Sequence, residues 1–201
     1  MSNTSLEARF ADLEDKLLSG RPIGASTDIP FAIFVYDPRQ ELAIRGHVER
    51  LATRLRRNAG REAEVIDLGA LFWECLAAHP DGPDGFFEIE KSSPDLGPVL
   101  QEAQIHLIGI PKPVPEPGPF EARLLEKLKR LDPERGVALL IRAGELFPVY
   151  RTSALLERLI GHRDLRVTTL LFYPGYLSGP TEPRFMGVCE PSPNYRVKIF
   201  G

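Results

Sequence analysis

One cysteine and one histidine have the residue types and the spacing of a reactive pair. Cys75 and His79 lie four residues apart in a predicted helix, so they could share a face as metal ligands or as a nucleophile and its base. A metal site needs more ligands, and the other residues of these types form no second pair; they are Cys189, His47, His106 and His162. Both cysteines also have apolar neighbours, which is typical of buried thiols. The sequence therefore predicts no metal site.

An acidic stretch follows this pair. Its carboxylates could bind a cation, but their spacing fits no calcium-binding loop; they are Asp81, Asp84, Glu88 and Glu90. We expect a solvated acidic surface.

The motifs of common nucleotide-dependent and serine-dependent enzymes are absent from the sequence. A phosphate-binding loop needs a glycine-rich turn followed by a lysine, and the nearest candidate, residues 20–27, precedes the first predicted strand and has no lysine. Neither the G-x-G-x-x-G fingerprint nor the G-x-S-x-G elbow occurs. We therefore predict no catalytic residues and no cofactor, and expect that the protein is not an enzyme.

Arginines concentrate in one predicted helix. Residues 39–61 have a net charge of +5, whereas residues 62–105 have a net charge of −9. Arg50, Arg54, Arg57 and Arg61 follow helical spacing and form a basic stripe. The stripe is either a solvated helix face or a docking surface for a phosphate backbone or an acidic partner, and these four arginines are the candidate partner-binding residues. Because the whole chain has a net charge of −3, we expect weak or absent DNA binding by the isolated protein.

Hydrophobic patterning predicts the elements that must position these groups. Apolar runs predict buried strands near residues 31–36, 64–68, 137–142 and 167–173. Helical periodicity predicts helices between them, including a first helix that starts after Ser5 and a long one that starts at Asp37-Pro38. We expect a single three-layer α/β domain over residues 1–201, with a mostly parallel sheet, helices on both faces and a crossover between the first two strands.

Three further segments carry their own predictions. Alternating prolines at residues 111–119 predict a stiff internal connector, because proline fixes φ and lacks an N–H group. The residue pattern of 81–110 predicts irregular turns and one or two short helices. Residues 176–201 form a predicted strand tail. Within it, the alternating patterns of 184–189 and 195–200 predict an antiparallel pair that closes the sheet.

Polar residues at the ends of the predicted strands form a candidate ligand pocket. In this architecture ligands bind beyond the carboxyl ends of parallel strands. Asp37, Arg142 and Tyr173 occupy such positions, and Arg196 in the tail completes the set. The arginines could instead bind Glu145 or backbone carbonyls. A regulator with a degenerate nucleotide site is therefore the alternative functional hypothesis.

Composition indicates the compartment and possible interface anchors. Two cysteines, a charged amino-terminal segment and no apolar window near ~18 residues predict a cytoplasmic protein with no membrane segment. Phe86 and Phe87 look exposed, and together with Trp73 they are aromatic residues of the kind that anchor interfaces, although we expect core burial for Trp73.

Several segments together resemble the BrxB family of BREX bacteriophage-defence systems. They are PFAIFVYDP (30–38) with the arginine-rich helix, EVIDLGALFWECL (64–76), IRAGELFPVYRTSALL (141–156), LFYPGY (171–176), RFMG (184–187) and NYR (194–196). The ordered set covers nearly the whole chain from about Leu6.

The resemblance implies an accessory protein without known catalytic residues. Its implied direct partner is the alkaline-phosphatase-like protein PglZ, with other BREX components nearby, among them an ATPase and a DNA methyltransferase. A homodimer is a further possibility that the sequence leaves open. The expected function is thus an adaptor that works through its surface.

Overall fold

A six-stranded sheet forms the centre of the chain in a computed structural model that describes residues 5–19, 23, 30–109, 117–179, 182–189 and 197–200. Its strands are β1 (Phe31–Tyr36), β2 (Glu62–Asp67), β3 (Gly136–Ile141), β4 (Thr168–Leu177), β5 (Pro183–Phe185) and β6 (Lys198–Phe200). The order is β2-β3-β4-β1-β6, with every one of these neighbours parallel, and β5 pairs antiparallel with the end of β4. The mostly parallel sheet is confirmed.

The burial of the side chains in a strand agrees with the position of that strand in the sheet. All six residues of β1 are buried, and β1 lies between β4 and β6. The crossover from β1 does not lead to a neighbouring strand, because β3 and β4 lie between β1 and β2. Glu62 is exposed and Glu64 is partly exposed in β2, and such a strand is tolerated at the edge of a sheet.

Seven α-helices surround the sheet within the described ranges: α1 (Leu6–Leu18), α2 (Glu41–Asn58), α3 (Leu68–Ala77), α4 (Gly82–Ser92), α5 (Gly97–Ala103), α6 (Pro119–Arg130) and α7 (Thr152–Gly161). The predicted start after Ser5 is confirmed, since the Ser5 hydroxyl accepts a hydrogen bond from the Ala8 N–H at 3.2 Å. A 3-10 turn at Pro38–Gln40 precedes α2, and a π-helical turn at Gln104–Ile108 follows α5. The one or two short helices expected in residues 81–110 are present as α4 and α5.

Two hydrophobic cores lie on opposite faces of the sheet. One face packs against α1 and α2 through alternate residues of the central strands, such as Phe34 and Phe172. The other face packs against α3, α6 and α7 through the intervening residues, such as Ile33 and Leu171. This alternation is the period of a strand covered on both sides, and it produces the three predicted layers.

The carboxy-terminal tail differs from the prediction. β5 pairs with the extension of β4, with Gly175 opposite Phe185, whereas β6 lies parallel to β1, with Ile33 opposite Ile199. The antiparallel pairing expected between residues 184–189 and 195–200 is therefore wrong for the described strands. β1 is apolar on both faces and needs a neighbour on its open edge, and β6 supplies it. Residues 111–116 of the proline connector lie outside the described residues.

Two aromatic residues are also placed differently from expectation. Trp73 is 52% exposed rather than buried, because α3 turns Leu71 and Cys75 toward the core. Phe86 is buried in the core, whereas Phe87 beside it is exposed as expected. Within the described ranges no helix combines the length and the apolar character needed to cross a bilayer.

Candidate functional site

The carboxyl edge of the sheet carries a cluster of charged side chains. Arg142 follows β3 and donates to Asp67 at the end of β2, with Arg142 Nη1 at 2.7 Å from Asp67 Oδ2. The same guanidinium forms a two-point ion pair with Glu145 in the 3-10 turn Ala143–Leu146. Arg142 has a left-handed backbone, with φ of 60°, which is uncommon for a residue with a side chain. The two ion pairs help to offset the cost of this conformation.

Glycine at position 69 makes room for this cluster. A Cβ at Gly69 would lie 3.2 Å from the Arg142 guanidinium carbon and would overlap the Glu145 carboxylate. The carboxylate therefore lies against the first turn of α3, where the helix dipole favours a negative charge. Asp67 caps the same helix, since its Oδ1 accepts from the Ala70 N–H at 2.8 Å.

The ion pairs continue from this cluster to the start of α2. Arg45 Nη2 lies 3.5 Å from Glu145 Oε1, and Arg45 Nε lies 3.1 Å from Glu41 Oε1. The buried Tyr36 hydroxyl donates to Glu41. Burial raises the pKa of Tyr36, and the hydrogen bond to Glu41 raises it further. We call this chain the strand-end network; it comprises Asp67, Arg142, Glu145, Arg45, Glu41 and Tyr36.

Asp37 forms a separate group next to this network. Arg39 donates to Asp37 from Nη2 at 2.5 Å, and the Tyr176 hydroxyl donates to Asp37 Oδ1 at 3.0 Å. The hydrogen bond from the Arg39 side chain is the main cause that lowers the pKa of Asp37. The bond to Asp37 in turn raises the pKa of Tyr176. These contacts connect the end of β1 to the extension of β4.

Three of the four candidate pocket residues lie within the described part of the chain. Asp37 and Arg142 both lie at the predicted edge, but each is paired with other side chains. Tyr173 is buried, and its ring packs edge-on against Phe185 with centroids 5.3 Å apart. Arg196 lies outside the described residues. A nucleotide pocket made by these four residues stays a prediction.

An apolar patch lies beside the charged groups, and the sequence analysis did not identify it. Its four side chains are 40% to 79% exposed; they are Phe147, Tyr176, Met186 and Val188. Gly144, three residues before Phe147, lies close to Met186, since a Cβ at Gly144 would be 3.7 Å from Met186 Sδ. The Phe147 and Phe185 rings are 5.7 Å apart. We call these four residues the strand-end patch.

Two neighbouring residues of this segment have a left-handed backbone conformation. Met186 has a positive φ of 52° and Gly187 has one of 75°, so the chain turns sharply after β5. A Cβ at Gly187 would lie 3.0 Å from the Tyr176 ring. An apolar residue held in a left-handed turn and left exposed needs an explanation beyond packing.

The structure divides the basic stripe into two pairs. Arg54 Nε lies 2.7 Å from both carboxylate oxygens of Glu14 in α1, and Arg61 Nη1 donates to the Glu134 carbonyl at 2.9 Å. Arg50 and Arg57 are exposed, and neither has a hydrogen-bond or ion-pair partner within the described part of the chain. Two of the four candidate residues therefore connect elements, and two remain open to a partner.

A buried ionic cluster was also absent from the sequence analysis. Glu121 in the first turn of α6 is 3% exposed and forms an ion pair with Arg158 of α7. His162 Nε2 lies 2.9 Å from Glu121 Oε1. This cluster joins two helices of one layer, which is a structural role. No sequence pattern distinguishes Glu121 from the exposed acids around it.

The other polar candidates have the surroundings of structural residues. Cys75 is buried, and burial raises the pKa of its thiol. His79 packs edge-on against Phe86 with ring centroids 5.3 Å apart. The acidic side chains of α4 and the preceding turn are exposed as expected. In the described ranges no three histidine, cysteine, aspartate or glutamate residues are grouped as a metal site would require.

Comparison with known proteins finds a family match for part of the chain. Residues 102–199 match the family model described as BREX protein BrxB. Neither the curated proteins nor the solved structures contain a match to the chain. The matched segment includes β3, β4, β5, Arg142, Glu145 and all four residues of the strand-end patch. Over residues 102–199, just under half of its length, the chain is therefore similar to the BrxB family of BREX phage-defence components.

Proposed function

We propose that this protein is a non-catalytic adaptor of a BREX defence complex, which binds the PglZ-like alkaline-phosphatase-family component through the strand-end patch. One observation carries the proposal. Four large apolar side chains are exposed together at one edge of the sheet, and all four lie in the segment that matches the BrxB family. The resemblance to that family is the source of the partner's identity.

The composition of this surface suits a protein partner. Aromatic residues, methionine and arginine are enriched at protein interfaces. The patch contributes Phe147, Tyr176 and Met186, and the exposed Arg39 lies beside Tyr176 through their shared partner Asp37. An apolar centre with a charged rim is the usual anatomy of an interface.

The pairing of the charged groups supports the non-catalytic part of the proposal. A general base or nucleophile must be able to reach a substrate. In the strand-end network the carboxylates of Asp67 and Glu145 both bind Arg142, and Glu41 binds Arg45 and Tyr36. These side chains stabilise the loops that present the patch. The purified protein should therefore turn over neither ATP nor a phosphodiester, and a turnover abolished by a point substitution contradicts this part.

The basic helix is a second contact in the proposed complex. Arg50 and Arg57 are exposed and have no described partner, so they are available to an acidic surface. Rim charges of this kind change the association rate and its salt dependence more than the affinity. The anchor of the complex is then the apolar patch, and the arginines steer the approach.

Co-purification from cells that express the whole defence operon tests the proposal. The tagged protein should retain the PglZ-like component, and Val188→Glu should abolish that retention, because it places a charge on the most exposed apolar residue of the patch. Leu96→Glu is the matched control, since Leu96 is also exposed but lies outside the family match. Arg57→Glu should weaken retention mainly at low salt.

Three results contradict the proposal. The first is retention of another BREX component without the PglZ-like one. The second is equal retention by Val188→Glu and wild type, which moves the interface away from the patch. The third is a homodimer of the isolated protein that Val188→Glu converts to a monomer while the complex persists, because the patch would then serve self-association.

A further inference from the structure

A groove opens at the amino edge of the sheet, opposite the strand-end network. It has a volume of about 440 Å³ and lies where α2 ends and where β2 and β3 begin. Six residues line it; they are Arg56, Arg61, Glu62, Ala63, Asp132 and Arg135. Because a six-residue strand spans roughly 20 Å, this groove is well separated from the strand-end patch.

Backbone carbonyls hold the three arginines of the groove in place. Arg56 Nε donates to the Ala63 carbonyl at 2.8 Å, and Arg61 Nη1 donates to the Glu134 carbonyl at 2.9 Å. Arg135 donates to the Gly60 carbonyl from Nη2 at 2.6 Å and from Nε at 3.1 Å. Each guanidinium has five N–H donors, so each keeps donors after these bonds. These bonds already order the three long side chains, so a ligand would not have to offset the conformational entropy of ordering them.

Among the described residues no carboxylate forms an ion pair with these arginines, although Asp132 lies close enough to Arg135 for the arginine to help lower the Asp132 pKa. Glu62 Oε2 accepts from the Asp132 N–H at 2.9 Å, and Asp132 Oδ1 accepts from the N–H groups of Glu134 and Arg135 at 2.9 and 2.6 Å. The acids of the groove are thus bound to backbone amides. The Nε of Arg61 is buried without a hydrogen-bond partner among the described residues. Three guanidinium groups that are held by backbone carbonyls therefore line one opening.

We propose that this groove binds a phosphate group. Guanidinium forks match the spacing of phosphate oxygens and form charge-assisted, two-point hydrogen bonds with them. The groove volume is within the range of small-ligand sites. A single phosphate contact agrees with the weak DNA binding that we expect of a protein of net charge −3.

Calorimetry with the full chain and inorganic phosphate tests the inference, with pyrophosphate, a mononucleotide and a short DNA duplex as parallel ligands. Phosphate should bind saturably at one site, and Arg135→Gln should weaken it at least tenfold. Arg57→Gln is the matched control, since it removes the same charge outside the groove lining and should change phosphate affinity less than threefold. Whichever of the nucleotide and the duplex binds more tightly identifies the source of the phosphate.

A gain-of-affinity variant keeps the test independent of folding defects. Glu62→Gln retains an oxygen that accepts from Asp132 N–H but removes a negative charge from the lining, so phosphate affinity should rise severalfold. The inference is overturned if phosphate shows no saturable binding, if Arg57→Gln weakens it as much as Arg135→Gln, or if Glu62→Gln leaves it unchanged. None of these outcomes depends on the PglZ-like partner.

Discussion

Gly175→Ala should loosen the β4–β5 hairpin that presents the strand-end patch. A Cβ at Gly175 would lie 3.0 Å from the Tyr173 ring, 3.1 Å from the Arg184 carbonyl carbon and closer still to its oxygen. The backbone of β5 must then move away from β4, because a carbonyl oxygen has no flexible end that can give way. Overpacking of this kind costs about 1–3 kcal/mol. For a chain of this size that corresponds to a fall in Tm of roughly 2–12 °C.

Gly144→Ala is the matched control on the same edge of the sheet. A Cβ there would meet Pro174 Cγ at 3.5 Å and Met186 Sδ at 3.7 Å, which are ordinary contacts. This variant should be as stable as wild type. Urea unfolding followed by circular dichroism measures both variants, and a pull-down measures partner retention, which Gly175→Ala should reduce. Equal stability of the two variants refutes the reasoning about the close approach of β4 and β5.

Three further predictions concern stability. Glu121→Ala should lower the free energy of unfolding by about 3 kcal/mol in urea unfolding, because it removes the buried carboxylate that pairs with Arg158, while an unchanged midpoint contradicts this role. Asp67→Ala should lower the free energy of unfolding by about 2 kcal/mol, because it removes both the cap on α3 and the ion pair with Arg142. Asp67→Asn keeps the cap and should lower the free energy of unfolding by about half as much; equal losses in the two variants argue against the cap. Hydrogen bonds lower the pKa of Asp37 and Asp132, so the unfolded chain binds more protons in acid, and stability should fall as the pH drops below about 4. Asp37→Asn should flatten that fall in a pH series of thermal melts, and an unchanged slope contradicts the linkage.

The sequence predicts the buried strands and the helices because their side chains repeat with the period of each element. The runs at 31–36 and 137–142 contain no polar alternation, and both became central strands. Strand order cannot be read from these local repeats. Glu62 and Glu64 were a signal that β2 lies at the edge, but the position of β6 beside β1 depends on long-range pairing, which three residues cannot encode locally.

The candidate site was predictable in position but not in its partners. Asp37 and Arg142 do lie at the carboxyl edge, as parallel strands require. Which charges pair there depends on the turn at Ala143–Leu146 and on the space left by Gly69, and neither follows from spacing. Trp73 shows the same limit, since the rotation of α3 about its axis decides its exposure.

Binding between the two purified proteins tests the central claim most directly. Calorimetric titration of the PglZ-like component into the wild-type protein should give a saturable complex, and Met186→Glu should weaken it at least a hundredfold while leaving the melting temperature unchanged. Arg57→Glu should weaken it less than tenfold at 150 mM salt. A complex that forms with equal affinity in wild type and Met186→Glu, or no complex with the wild type, contradicts the account.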